Sequence, residues 1–237
     1  MSGPLLVVSA HAADFVWRAG GCIAKATQDG QGAHVVCLSF GERGESARLW
    51  KQGRTLEQVK AVRREEAERA AAVLGAEVTF LDAGDYPLRP SDELTDALVQ
   101  LMRRLQPSVV LTHSAADPYN YDHPVAADLT LRARVLAQAH GYPSEHPVLG
   151  APPVFRFEPH QPEMCGFHPD VLVDISGVFP RKRQAMEAMQ AQEHLWRYYS
   201  ELAERRGVQA VRNGGPAGIT HAEAYQRVFP QVCEVLR

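Results

Sequence analysis

Leu5-Leu6-Val7-Val8-Ser9-Ala10-His11-Ala12-Ala13-Asp14-Phe15 is the stretch on which the reading of the fold turns. Its first four residues are a short apolar run rich in branched side chains, the pattern of a strand buried on both faces of a parallel sheet. A turn at His11 then opens a helix through about Lys25, ended near Gly30 and Gly32. The same unit recurs downstream. His34 to Ser39 reads as a second strand, followed by a long polar loop from Phe40 to Gly53 and a charged helix from Leu56 to Leu74 that stops at Gly75. Val78 to Leu81 is a third strand, Asp92 to Leu105 a helix behind a Pro-Ser cap signal, Val109 to His113 a fourth strand, and Pro124 to Ala139 a further helix. Four alternations of strand and helix predict an α/β fold: a mostly parallel, doubly wound sheet flanked by helices.

The remainder is less regular. Gly141 to Gly166 is rich in proline and histidine, two strands are expected around Val154–Phe157 and Val171–Ile175, and helices are expected over much of Arg181 to Arg206 and His221 to Leu236. With no internal repeat or low-complexity tract, residues 1–237 read as a single domain. Length and composition agree: 237 residues, 45% hydrophobic and 22% charged, suit one globular α/β core. A net charge of -3 leaves no basic footprint for nucleic acid. No apolar stretch approaches the roughly 20 residues that span a bilayer. The N-terminus lacks a signal-peptide pattern, and the four scattered cysteines read as reduced thiols of a cytoplasmic protein.

In doubly wound sheets ligands bind beyond the carboxyl ends of the strands, and polar residues gather there: His11 and Asp14 after the first strand, Glu42 and Glu45 after the second, Asp82 and Asp85 after the third, and Asp117 to His123 after the fourth. A histidine and a carboxylate three residues apart, at a turn entering a helix, can face one point. Adjacent strand ends bring His123 to the same place. His11, Asp14 and His123 then form a three-ligand site with an open position, suited to zinc and also to non-haem iron. The competing arrangement has His11 capping a helix and His123 on a surface helix.

The segment LLVVSAHAADFVWRAGGCIA resembles the PIG-L (LmbE-like) superfamily of zinc-dependent deacetylases, whose signature is an apolar strand, HPDDE and a Gly-Gly helix start. The second family motif, HPDH, reads Asn120-Tyr121-Asp122-His123, and VVCLSFGERGES and HAEAY extend the likeness. The resemblance implies zinc held by His11, Asp14 and His123. It also exposes two departures. The first aspartate of HPDDE, the general base in the deacetylases, is Ala13, and a methyl group takes no proton. The first histidine of HPDH is Asn120, which still donates a hydrogen bond but carries no charge.

SAHAADFVWRAGG together with CLSFGERGESARLW is similar to a hydratase branch of that superfamily, acting in bacterial gallate catabolism. The resemblance implies addition of water across the double bond of a small tricarboxylate, 4-oxalomesaconate. Such a reaction needs a Lewis acid, proton transfer and cationic anchors. Zinc answers the first. Glu45, in a glycine-bracketed loop, is the expected base, with Glu42 as competitor. His160 is the expected acid or second base, with His168 behind it. Arg18, Arg43 and Arg48 are expected to bind carboxylates, with Arg156 as a further candidate and Asn120 as a neutral donor. Tyr119 and Tyr121 are expected to shape the pocket, and Trp17 to lie in the core. The charges of the 56–74 helix are expected to form a solvated face with i,i+4 pairs. Two other readings stand beside the hydratase: a zinc N-deacetylase of an amino sugar, and a non-catalytic metal-binding protein. Relatives with this fold often assemble, so a homo-oligomer is also an expectation.

Overall fold

The first strand, β1 (Leu5–Ser9), is buried along its whole length, as its apolar run demands. It pairs in parallel with β2 (Ala33–Cys37) on one side and β4 (Val109–Thr112) on the other, so that Val7 faces Val35 and Leu111. With β3 (Glu77–Phe80), β5 (Val154–Phe157), β6 (Val171–Asp174) and β7 (Ala222–Arg227), these form a seven-stranded sheet of order β3-β2-β1-β4-β5-β7-β6. This computed structural model describes residues 3–234.

Strand alternation divides the core in two. Leu5 and Val7 join Phe15, Ile23, Leu74 and Met186 on the face covered by α1 (Asp14–Gln28), α3 (Leu56–Leu74) and α6 (Phe179–Ala188). Leu6 and Val8 join Leu98, Met102 and Leu129 on the face of α4 (Asp92–Leu105) and α5 (Asp122–Gln138). The order of strands reverses between β1 and β4, which is where such sheets open a crevice. No helix among the described residues is long and apolar enough to cross a membrane.

The structure corrects the sequence reading in three places. The Phe40–Gly53 loop contains a short helix, α2 (Ala47–Lys51). In α3, Glu65, Arg69, Arg64 and Glu68 do form exposed i,i+4 pairs, but Arg63 and Glu66 are buried. They share one stripe with Val59, Ala67, Ala70 and Leu74. The third correction concerns 221–236, expected as a helix. Residues Ala222–Arg227 are instead β7, antiparallel to both β5 and β6; 235–236 lie outside the described residues. Helix propensity loses here to tertiary context: the segment fills the gap between two strands that have no other partner on that side.

β7 also delivers Glu223 to α1. Its carboxylate accepts the N–H groups of Gly21 and Cys22, each at 2.8 Å, and the hydroxyl of Tyr225 at 2.7 Å. Lys182 of α6 donates to Glu223 at 2.7 Å and to the Trp17 carbonyl at 2.9 Å. The ion pair thus stands across the Trp17–Gly21 rung of the helix. A side chain at Gly21 has no room, since its Cβ would lie 2.7 Å from Ile175.

Candidate active site

The turn after β1 folds Asp14 back on the chain. Its carboxylate accepts the His11 N–H at 2.9 Å and approaches His11 Nδ1 at 3.2 Å. The adjacency of β1 and β4 brings up the second stretch, where Asn120 and Asp117 organise the entry to α5. Asn120 accepts the Asp122 N–H at 3.1 Å, and Asp117 accepts that of Tyr119 at 3.0 Å. His123, in the first turn of α5, then lies with Nε2 3.5 Å from the other Asp14 oxygen.

Each imidazole has a carboxylate behind it. His11 Nε2 meets Asp122 at 3.1 Å, and His123 Nδ1 meets Asp117 at 2.8 Å. Asp122 is itself held by the N–H groups of Tyr86 and Leu88. In the neutral ring these bonds favour the proton on the rear nitrogen, so that the front nitrogen can offer its lone pair to a cation. The two front nitrogens, His11 Nδ1 and His123 Nε2, are buried and make no hydrogen bond. They converge with Asp14 and Glu45, the ligand atoms all lying within 4.8 Å of one another. Two imidazoles and a carboxylate, with unused lone pairs aimed at one point, fit a divalent metal ion. Electrostatics mark the same point as favourable to positive charge. Burial opposes protonation of His11, but Glu45, Asp122 and Asp14 outweigh it and raise its pKa well above the ordinary value. His113 is different: burial and then His123 push it down to about 3, and as a neutral ring it accepts the Ala10 N–H at 2.9 Å and stacks on His123.

Glu45 arrives from the glycine loop. Gly41, at φ 68°, lets that loop lie against His11, where a Cβ would come within 3.2 Å of the His11 Cβ. Asp85 clamps the N–H groups of Arg43 and Gly44, and Ser46 ties back to the Gly41 carbonyl. Glu45 Oε1 ends 3.2 Å from His11 Nδ1. Burial disfavours its charge, but His11 outweighs that and lowers its pKa, so it is a carboxylate at neutral pH. Its competitor Glu42 turns away, accepting the Phe40 N–H and facing Arg43. Ala13 presents only a buried methyl.

A cavity of about 160 Å³ opens in front of this cluster, lined by Asp14, Arg18, Glu45, Asn120, His123 and His160 among others. Glu45 and Gln192 also line an outer groove of about 600 Å³ bearing Arg48, and His160 also lines another of about 450 Å³. The structure therefore brings most of the expected residues together, but not all. Arg43 is spent on the Asp85 carbonyl at 3.1 Å and on Glu42, not on the cavity. Arg48 stands in the outer groove, paired with Glu193 at 2.9 Å. Arg156 lies within β5. His168 and Tyr121 are exposed, whereas Tyr119 lines the cavity. Trp17 is buried as expected, yet it also forms part of the cavity wall.

Sequence reasoning missed Arg63. Its guanidinium donates to the Phe40 carbonyl, Glu66 and Gln192, and lies 4.0 Å from Glu45 Oε2. Glu66 in turn accepts the Ala191 N–H. Arg63 thereby joins the Glu45 loop to the 3-10 turn Gln190–Gln192 on the opposite lip. The signal was present: Arg63 and Glu66 fall in phase with the apolar stripe of α3.

The family profile of PIG-L, described as GlcNAc-PI de-N-acetylase, matches residues 6–134. This chain belongs to the PIG-L family. Among PIG-L relatives, the 4-oxalmesaconate hydratase of Pseudomonas putida KT2440 is 55% identical over 98% of this chain and 91% of its own length. The crystal structure of GalB, the 4-carboxy-2-hydroxymuconate hydratase of Pseudomonas putida KT2440, superposes with a TM-score of 0.97 at 54% identity, covering 100% of both chains. The diacetylchitobiose deacetylase of Thermococcus kodakarensis is more distant, at 27% identity over 88% of this chain and 82% of its own. The mostly parallel sheet flanked by helices is thus the PIG-L fold, and the ligand-bearing segments through His123 fall inside the matched PIG-L region.

Proposed function

We propose that this protein is a zinc-dependent hydratase, a hydro-lyase that adds water to the double bond of 4-oxalomesaconate to give 4-carboxy-4-hydroxy-2-oxoadipate, in cytoplasmic gallate catabolism. One observation carries the reading. The metal-ligand triad is intact, the hydrolytic base is reduced to the methyl of Ala13, and the carboxylate that meets the two imidazoles besides Asp14 is Glu45. Near-full-length similarity to a hydratase supports the same reaction class.

His11, Asp14 and His123 would hold the ion, which when bound supplies a Lewis acid for the substrate's oxygens and for water. The protein's own groups do the rest. Glu45, ionised and open to the cavity, takes the proton of the attacking water as its oxygen bonds to carbon. That proton reaches the neighbouring carbon across the cavity, where His160 accepts and returns it. Burial, and then Arg18, hold His160 below its ordinary pKa, so it faces the cavity as a neutral base. Asn120, whose oxygen is occupied by the Asp122 N–H, offers its amide nitrogen to the substrate. A deacetylase, the reading favoured by the Thermococcus relative, would have to relocate its base from position 13.

The test is direct. Zinc-loaded protein is mixed with 4-oxalomesaconate, and loss of the conjugated ultraviolet chromophore is followed with identification of the product. Turnover is expected, and Glu45→Gln should lower kcat by about 10²–10⁴-fold while zinc stays bound. An unchanged spectrum from zinc-loaded protein overturns the hydratase. Loss of zinc in Glu45→Gln would make Glu45 a ligand instead of the base.

A further inference from the structure

The wall of the central cavity opposite Asn120 is made by α1 and by α7 (Leu195–Arg212). Its polar groups are hydrogen-bond donors that the protein leaves partly unused. Arg18 is 7% exposed and fixed from three sides: Nη1 donates to the Glu158 carbonyl at 3.2 Å, Nε lies 3.4 Å from Asp14, and the guanidinium sits 5.9 Å from the centre of the Phe157 ring. Its Nη2 has no partner among the described residues. Tyr199, 3% exposed, is held by stacking on Trp17 at 5.5 Å and by edge contacts with His160 at 5.9 Å and Tyr198 at 5.0 Å. Its hydroxyl also has no hydrogen-bond partner among the described residues. The two groups share one stretch of wall: both line the cavity, together with Trp17, on which Tyr199 stacks.

A rigid guanidinium and a rigid phenol, each with a donor that no group among the described residues accepts and both lining one small cavity, are suited to an acceptor on a bound ligand. A neutral sugar hydroxyl satisfies such a pair poorly. A carboxylate satisfies it well, taking charge-assisted bonds at both oxygens. On the reading of this site as one that takes a tricarboxylate, we infer that Tyr199 and Arg18 form a clamp for one substrate carboxylate, with the Tyr199 hydroxyl donating to one oxygen and Arg18 Nη2 to the other. Tyr199 is then a specificity-determining residue, and α7 is part of the substrate site. The clamp stands beside His160, so a carboxylate held there sets the distance between the substrate's carbon skeleton and both Glu45 and His160.

The experiment compares wild type and Tyr199→Phe, both zinc-loaded, with zinc content and circular dichroism checked. The probes are succinate, by titration calorimetry, and 4-oxalomesaconate, by steady-state kinetics. Loss of one hydrogen bond to a charged acceptor is worth about ten- to hundredfold. Succinate affinity should fall by that factor and KM rise by a similar one, with a smaller change in kcat. Arg18→Lys keeps the charge but loses the forked donor, and should raise KM in the same way. Unchanged succinate affinity and unchanged KM in both variants overturn the clamp. Should wild type leave 4-oxalomesaconate untouched, the hydratase reading falls, and succinate still decides the clamp: weaker binding by Tyr199→Phe supports it, equal binding overturns it.

Discussion

Two clusters of buried charge lie within reach of helix α1, and they are built to opposite rules. In the cluster of Lys182, Glu223 and Tyr225, every side-chain nitrogen and oxygen has at least one partner, on one another or on the backbone of Trp17, Gly21 and Cys22. In the cluster of His11, Asp14, Glu45 and His123, the rear of each imidazole is braced while the front nitrogens and Glu45 Oε2 have no hydrogen-bond partner. Burial and charge are common to both. Saturation separates them: a satisfied buried network holds elements together, and an unsatisfied one is shaped for something the chain does not contain.

Removing Asp14, which approaches both imidazoles, has the largest expected effect. Asp14→Ala should lose zinc by elemental analysis and lower hydratase activity by at least about 10³-fold, given the several kcal/mol of charge stabilisation a metal provides. Retention of zinc would place the site elsewhere. The reverse expectation holds for the saturated cluster. Lys182→Met leaves Glu223 buried without its cation and should cost about 3–5 kcal/mol in urea denaturation, while kcat per folded molecule stays within about twofold. A kcat collapse in a folded Lys182→Met would erase the distinction. Zinc at about 100 times its Kd should stabilise wild type by about 2.7 kcal/mol, read as a higher Tm, and should not stabilise Asp14→Ala. The smallest effect concerns pH. Because burial and then Arg18 depress the His160 pKa, its neutral form persists below pH 6.5. The rate should hold through that point and then fall about tenfold per pH unit as the ring protonates, a limb that His160→Asn removes.

The parallel half of the sheet was legible because each of its strands is a short branched apolar run closed by a turn, and the ligands follow those runs directly. Glu45 was expected from its place in the glycine-bracketed loop after the second strand and His160 from the irregular stretch that follows β5, and both line the cavity. The antiparallel half was not. Ala-Glu-Ala-Tyr-Gln-Arg has the composition of a helix, and only its position between β5 and β6, with Glu223 answering Lys182, makes it a strand. Arg63 and Glu66 were hidden by a count of charges that ignored their phase on α3. The arginines illustrate the remaining limit. Proximity in sequence placed Arg43 near the site, but a guanidinium takes the nearest carboxylates, and Asp85 and Glu42 were nearer than any cavity.

The placement of β7 has a consequence for the order in which the molecule can be made. This strand is the last regular element among the described residues, yet it sits inside the sheet, between β5 and β6. A ribosome exposes His11, Asp14, Glu45 and His123 long before it exposes Glu223. During that interval the nascent chain already carries all four residues of the candidate metal cluster, but β5 has an open edge and Lys182 has no counter-charge beneath α1. Completion of the sheet waits for the chain to emerge through Arg227.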